Sequence, residues 1–309
     1  MGGAGTYKPT GKNDRAVLLE MIHSTTNTSA EDLLFSYKGM LYPSILCSLE
    51  TFQALETFEA REDDLLVATY PKNGTNWLIQ ILCEIVSLVH HREPLPDATM
   101  IEFGSPEILA RFKDRPSPRI LSTHLDFKNI PKSFFEKKVK ILLVLRNPKD
   151  TAVSFYQFHN SLPALPSYNS WATFFKDFTN GTVVYGQYFD FVATWEKHFD
   201  EKTMMAITFE EMKLDFPSAV KKISEFFQFS LTEEQIHLVA NRTTFNSMKE
   251  KSENTHGKLG DSFFRKGEIG DWKNYFTEDQ SKVVDTMFEK YLAGTKLGKM
   301  LNYDKYCKF

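Results

Sequence analysis

Four short apolar runs punctuate the chain, at 65–70, 119–123, 140–145 and 203–209. Each is rich in Leu, Ile or Val and bounded by polar or turn residues. Runs of that length and composition predict buried strands. Among them, apolar residues recur at helical spacing over 76–90, 150–159, 170–178, 185–199, 216–227, 232–240 and 278–291. Strands alternating with helices predict the α/β class, with a central parallel sheet flanked by helices. No repeat, low-complexity segment or Pro/Gly-rich linker divides the chain, so residues 1–309 read as one domain. Residues 1–30 read as a flexible tail, and the polar stretch 249–262, which carries Gly257 and Gly260, as a mobile lid.

Composition narrows the class. A 309-residue chain that is 42% hydrophobic and 14% aromatic builds a substantial core. Its formal net charge of −3 supplies no field that gathers nucleic acid, so an anion site must be assembled from a few placed cations. Cys47, Cys83 and Cys307 lie far apart without C-x-x-C spacing, which argues against a disulfide framework or a zinc site and for a reducing compartment. The longest apolar stretch, 77–89, is broken by Gln80 and Glu84 and is too short to span a bilayer. A cytoplasmic protein without integral membrane association is therefore expected. The opening Met1-Gly2-x-x-x-Thr6 fits the N-myristoylation pattern, but one acyl chain without a polybasic partner binds membranes only marginally.

The chemistry concentrates where strands end. The 65–70 strand runs through Tyr70-Pro71-Lys72-Asn73-Gly74-Thr75-Asn76-Trp77 into an amphipathic helix. A strand, a tight loop and a helix start aim free backbone N–H groups and the positive helix end at one point, which suits a phosphate or sulfate. Gly74 permits close approach, Lys72 adds a full charge and Thr75 a hydroxyl. The lysine precedes the glycine, so this P-loop-like turn is not a Walker A loop. An ordinary strand-to-helix turn is the competing reading of this segment alone. The 140–145 strand ends in Arg146-Asn147-Pro148 and leads to a helix carrying Ser154; an arginine at that end of a sheet strand suits bidentate phosphate recognition. A third segment, Arg265-Lys266-Gly267-x-x-Gly270-Asp271-Trp272-Lys273, adds adjacent cations and glycines.

Taken together and in this order, the three segments resemble the cytosolic sulfotransferases over nearly the whole chain, and in detail the 6B-type branch. The resemblance implies 3′-phosphoadenosine 5′-phosphosulfate (PAPS) as co-substrate, adenosine 3′,5′-bisphosphate as product, and no metal. It implies that Lys72, Asn73, Gly74, Thr75, Asn76 and Trp77 hold the donor's 5′ end. Arg146, Ser154, Arg265, Lys266 and Gly267 would hold its 3′-phosphate, while Phe209, Thr243, Thr244 and Phe245 approach the nucleoside. The family's catalytic histidine falls at His124, just past the 119–123 strand, where an imidazole would take the acceptor's proton. Lys72 would neutralise charge on the leaving phosphate.

Some positions depart from the family pattern. Asn73 replaces the common loop serine, Phe209 a tyrosine, and Ser122 a lysine that neighbours the sulfonate. The dimer motif K-x-x-x-T-V-x-x-x-E is altered at Glu278 and Lys282, so the resemblance does not carry homodimerisation over. For the acceptor, Phe58, Phe103, Phe158 and Phe263 suggest an aromatic pocket for a small hydrophobic hydroxyl compound. A phenol is expected, with thyroxine suggested by resemblance to the 6B-type branch. A P-loop-type small-molecule kinase is a competing reading, disfavoured because Arg146 stands where a magnesium-binding acid would end the strand. A nucleotide- or hormone-binding protein with little turnover is another, motivated by Ser122 and opposed by the presence of His124.

Overall fold

The computed structural model describes residues 14–23, 25, 29–93, 100–252 and 257–309. An antiparallel hairpin, β1 (Leu34–Tyr37) and β2 (Met40–Pro43), precedes a four-stranded parallel sheet of β3 (Leu65–Thr69), β4 (Ile120–Thr123), β5 (Lys140–Leu145) and β6 (Met204–Thr208), in the order β4-β3-β5-β6. The predicted central parallel sheet with helices on both faces is what forms. The hairpin was not foreseen; it turns at Lys38-Gly39, both at positive φ (50° and 80°), as a two-residue loop between twisted strands requires.

Alternation along the strands divides the core. From β5, Ile141, Leu143 and Leu145 enter one apolar cluster and Leu142 and Val144 the other, because successive side chains point to opposite faces. The helix after β3, Thr75–His90, contributes Leu78, Ile81, Leu82 and Ile85 to one cluster. The helix after β5, Pro148–Ser161, sends Ala152, Val153 and Phe155 into the other. Adjacent strands thus launch helices onto opposite faces, and the crevice between their carboxyl ends is the switch point where open α/β sheets bind ligands.

Two stretches expected to be loose contain ordered elements. Within 1–30, Asp14–His23 is a helix with Leu18 and Ile22 in the core, because its apolar residues find a face to cover. Residues 1–13, including the Gly2 acylation pattern, lie outside the described residues. Within 249–262, residues 253–256 also lie outside them. In the remainder, Gly257–Leu259 and Gly260–Phe263 form helical turns with Leu259 and Gly260 buried, while Lys249, Glu250, Lys251 and Asp261 stay exposed. Among the described residues, no helix is long and apolar enough to cross a membrane. The altered dimer motif caps a helix: Thr277 closes a capping box on Glu278–Tyr291, and exposed Lys282 pairs with Asp279 at 3.3 Å.

One buried carboxylate joins the layers around the crevice. Asp150 accepts from the backbone N–H of Gly270 (2.7 Å) and Trp272 (2.9 Å) and from Asn147 Nδ2 (2.7 Å). Removing it leaves the N–H groups of Gly270 and Trp272 without that acceptor and Asn147 Nδ2 with Glu210 Oε1 (3.0 Å), so Asp150→Ala is expected to cost about 2–3 kcal/mol of stability, read from the urea-denaturation midpoint at unchanged slope.

Candidate functional site

At the end of β3 the backbone turns so sharply that Lys72 takes φ 70° and Gly74 φ 110°. A Cβ on Gly74 would also lie 3.3 Å from the Phe209 ring, so the close approach of this loop to Phe209 requires glycine. Lys72 comes out of the turn with its Nζ 4.0 Å above the Phe158 ring and donates to the carbonyl of Ser262 at 3.2 Å. Burial, and then the nearby Arg146 and Arg265, push its ammonium down to about 7.

Arg146, at the end of β5, is buried and held rigidly. Its two Nη atoms donate to the carbonyls of Lys72 (3.2 Å) and Glu268 (3.0 Å), and the guanidinium lies 4.3 Å over the Phe209 ring. Its buried Nε has no protein partner. Its own carbonyl accepts from Tyr188 Oη at 2.6 Å. The third segment brings Arg265 and Lys266 alongside, both on Asp271 at 2.6 and 2.7 Å. Burial alone would raise that carboxyl, but Lys266, Arg265 and Asn274 outweigh it and hold it down to about 2. Gly267 sits at φ 64°, where a Cβ would fall 2.6 Å from the Phe245 ring. The ring lies against this backbone for that reason.

His124 closes the other end. Its Nδ1 lies 2.7 Å from the carbonyl oxygen of Thr69. A carbonyl only accepts, so Nδ1 carries the hydrogen and Nε2 is left as the basic nitrogen. Burial drives the imidazole down to about 4, with Lys72 adding to the effect and the Thr69 bond opposing it. Tyr185 meets the ring edge-on at 5.1 Å. Thr69 also reaches the donor loop, since its Oγ1 lies 2.7 Å from that of Thr75. His159 makes the same kind of bond, from Nδ1 to the carbonyl of Pro166, but its buried Nε2 has no partner and it lies off the cavity. Placement, and not burial or tautomer, distinguishes the two.

These groups surround one cavity of about 380 Å³. Of the residues singled out from the sequence, Lys72, Gly74, Thr75, Asn76, Trp77, His124, Arg146, Ser154, Phe209, Phe245, Arg265, Lys266 and Gly267 line it, as do Phe103, Phe158 and Phe263. Ser122 lines it too, with its buried Oγ lacking a partner. Four others do not. The buried Asn73 side chain donates to the Val144 carbonyl (3.3 Å) and accepts from Thr151 (2.9 Å), tying the loop to β5 and the next helix. Thr243 Oγ1 donates to the Val239 carbonyl, and its own carbonyl accepts from Trp77 Nε1 at 2.7 Å. Thr244 caps the Phe245–Glu250 helix. Phe58 stacks on Phe134 with centroids 5.6 Å apart, inside the apolar core. Each is committed to holding a neighbour that does face the cavity, or to the core.

The remaining wall comes from residues the sequence reading passed over. Leu18, Leu19 and Ile22 of the Asp14–His23 helix, with Pro43, Leu46, Met100, Val184 and Tyr185, make the end beyond His124 apolar. The apolar spacing of Val17, Leu18, Met21 and Ile22 was a signal for that helix, too short to stand out beside its polar flanks.

Comparison with known proteins agrees with this geometry. Residues 62–296 match the model of the sulfotransferase domain. Sulfotransferase 6B1 of Homo sapiens is 47% identical over 290 residues, covering 94% of this chain and 96% of that protein. Sulfotransferase 6B1 of Danio rerio is 46% identical over 280 residues, covering 90% and 95%. Among solved structures, mouse sulfotransferase SULT7A1 complexed with PAP is similar at a TM-score of 0.79 and 34% identity, covering 89% of this chain and 100% of that one. With the strand-loop-helix cradle, the strand-end arginine and the third basic loop gathered at one crevice, the chain belongs to the sulfotransferase family, and within it to the 6B-type branch.

Proposed function

We propose that the cavity binds PAPS at its cationic end and a small hydrophobic hydroxyl compound at its apolar end, and transfers the sulfonate between them. The observation that carries this reading is the convergence of Lys72 and His124 on one cavity whose far walls are basic on one side and apolar on the other. The Lys72 loop would receive the 5′ end of the donor. Arg146, Ser154, Arg265, Lys266 and the Gly267 backbone would receive the 3′-phosphate, with Arg146 Nε still unpartnered there. Trp77, Phe209 and Phe245 supply aromatic surface for the base; Asn73, Thr243 and Thr244 act by holding that surface in place.

In the reaction the acceptor oxygen bonds to sulfur as the sulfur–oxygen bond to the 5′-phosphate breaks. The acceptor's proton passes to His124 Nε2, and Lys72 offsets the charge left on the departing phosphate. The apolar end, lined among the described residues by Leu18, Ile22, Leu46, Met100, Phe103 and Val184, favours a neutral or phenolic acceptor. Thyroxine, whose phenol is flat and apolar but whose other end is zwitterionic, fits only with that end toward the mouth. The buried, unbridged Cys47, Cys83 and Cys307 support a reducing cytoplasmic setting.

The direct experiment is incubation with PAPS and a panel of phenols and aliphatic alcohols, with mass spectrometry for sulfated product; no product from any acceptor would sink the reading. His124→Ala should lower turnover by roughly 10²–10⁴-fold while the affinity for adenosine 3′,5′-bisphosphate, measured by calorimetry, stays within about twofold. Lys72 gives a second handle. Its ammonium loses charge as pH rises through about 7, and a bound polyanion favours the charged form. Binding of the bisphosphate at about pH 8 should therefore take up protons, seen as buffer-dependent binding enthalpy in Tris and HEPES. Lys72→Met should abolish most of that uptake.

A further inference from the structure

Glu102 is a buried acid that the reaction as described does not use. It sits on a short turn beside β4: the N–H of Ile101 donates to the carbonyl of Ser122 at 2.9 Å, and the N–H of Gly104 to the carbonyl of Leu46 at 2.7 Å. The side chain is wholly buried, and its Oε1 accepts from the backbone N–H of His124 at 2.7 Å. That N–H lies one residue past the end of β4, where the sheet ladder has stopped. The carboxylate takes the place of the missing strand.

The other oxygen, Oε2, is buried without a hydrogen-bond partner. A glutamine would satisfy the same N–H at lower desolvation cost, so a carboxyl at this position is not explained by stability. The titratable groups that feel its charge are the thiol of Cys47 and the phenols of Tyr42 and Tyr185, all shifted upward, and Thr123 adds a hydroxyl. None of these is a cation. Burial, opposed by the backbone N–H groups of His124 and of Glu102 itself and by the nearby Thr123 hydroxyl, pushes the carboxyl up to about 7.

We propose that Glu102 is a positioning residue for His124: it holds the histidine's main chain at the end of β4, and its unneutralised carboxylate stabilises the imidazolium that forms as the acceptor proton is taken. The inference rests on the reading of His124 as the base. His124 is then fixed at its backbone by Glu102, at Nδ1 by Thr69 and at its ring edge by Tyr185. Glu102 itself takes no proton in the step; the proton goes from the acceptor oxygen to Nε2. Field strength at the imidazole follows the ionisation of the carboxyl, so turnover at saturating donor should rise through neutral pH. Lys72 also titrates at about 7 in the free site, but the bound polyanion favours its charged form, and losing that charge would lower kcat as pH rises, opposite in sign to the rise assigned to Glu102.

The test compares the full-length wild type with Glu102→Gln and Glu102→Ala, each alone and with His124→Ala. It records kcat and both KM values from about pH 5.5 to 9, bisphosphate affinity and thermal melting. Glu102→Gln keeps an acceptor for the His124 N–H but no charge. It should fold, keep both KM values and the bisphosphate affinity within about twofold, lose the neutral-pH rise and fall about tenfold in kcat near pH 8. Glu102→Ala should fall further, about a hundredfold, and neither change should add to the loss already caused by His124→Ala. Wild-type kcat and pH profile in Glu102→Gln would overturn the proposal, as would an undiminished effect in the His124→Ala background. If Glu102→Ala does not fold, Glu102→Gln alone decides. Full turnover by His124→Ala would instead remove the base assignment, a different failure with its own signature.

Discussion

The structure depends on keeping cations together out of bulk water. Burial, and the like charge of their neighbours, depress the proton affinities of Lys72 and Arg146, and arrangements of that kind come apart unless the surroundings compensate. The compensation is built from main chain more than from acids. Arg146 spends its Nη donors on the carbonyls of Lys72 and Glu268, and Lys72 donates to the carbonyl of Ser262. Among the described residues the carboxylate in direct contact is that of Asp271, shared by Arg265 and Lys266, while Asp150 and Glu210 act on Arg146 through their charge alone. Carbonyl dipoles steady a cation without cancelling its charge, so the cavity stays positive and an anionic donor gains what the protein leaves unneutralised.

That arrangement places demands on the fold behind it. The carbonyls that face Arg146 belong to loops distant in sequence, and both must be held at hydrogen-bonding distance. Asp150, one turn into the helix that begins beside Arg146, pins the Gly270 and Trp272 end of one loop; Asn73, bonded to Val144 and Thr151, pins the other. Thr69 then joins this donor side to the base, because its hydroxyl meets Thr75 and its carbonyl fixes the tautomer of His124. A shift of the donor loop is therefore transmitted to the imidazole through a single residue at the end of β3.

Residue types at strand ends were legible because their chemistry is local. Lys72, Gly74 and Thr75 in a strand-loop-helix, and Arg146 at a strand end, carry their meaning within a few positions of sequence. The strands of the parallel sheet, β3 to β6, were legible from their apolar runs, and their ends came within one residue of those expected, whereas the β1–β2 hairpin was not. What escaped depends on contacts between distant segments. Thr243 and Asn73 sit among residues that line the cavity yet turn away from it, a choice made by Trp77 Nε1 and by Thr151. Phe58 looked like any pocket aromatic until Phe134 stacked on it. Leu18 and Ile22 belong to a helix too short to be stable alone, which forms because the sheet-bound core offers it a face. Glu102 carried no motif; only the end of β4 gives it a partner.

An imidazole held down to about 4 is, taken alone, a weak acceptor for the proton of an alcohol or phenol near neutral pH, the role proposed for His124. The difficulty eases when the order of events in the proposed reaction is considered. In a loose transfer of the kind described for phosphoryl groups, the acceptor oxygen need not be a strong nucleophile at the outset. As its bond to sulfur forms, the oxygen becomes positive and its proton strongly acidic, and even a weak base then accepts it. The low proton affinity has a compensating use: His124 remains neutral across the physiological range, and no fraction of the enzyme is lost to a protonated, inactive imidazole. It also keeps a second fixed cation from forming beside Lys72 before the donor arrives. The imidazolium appears only after negative charge has developed on the leaving phosphate, when Lys72 is occupied with that charge and no longer repels it. The same burial that weakens the base in the resting site thus times its use to the moment when the surrounding charge favours it.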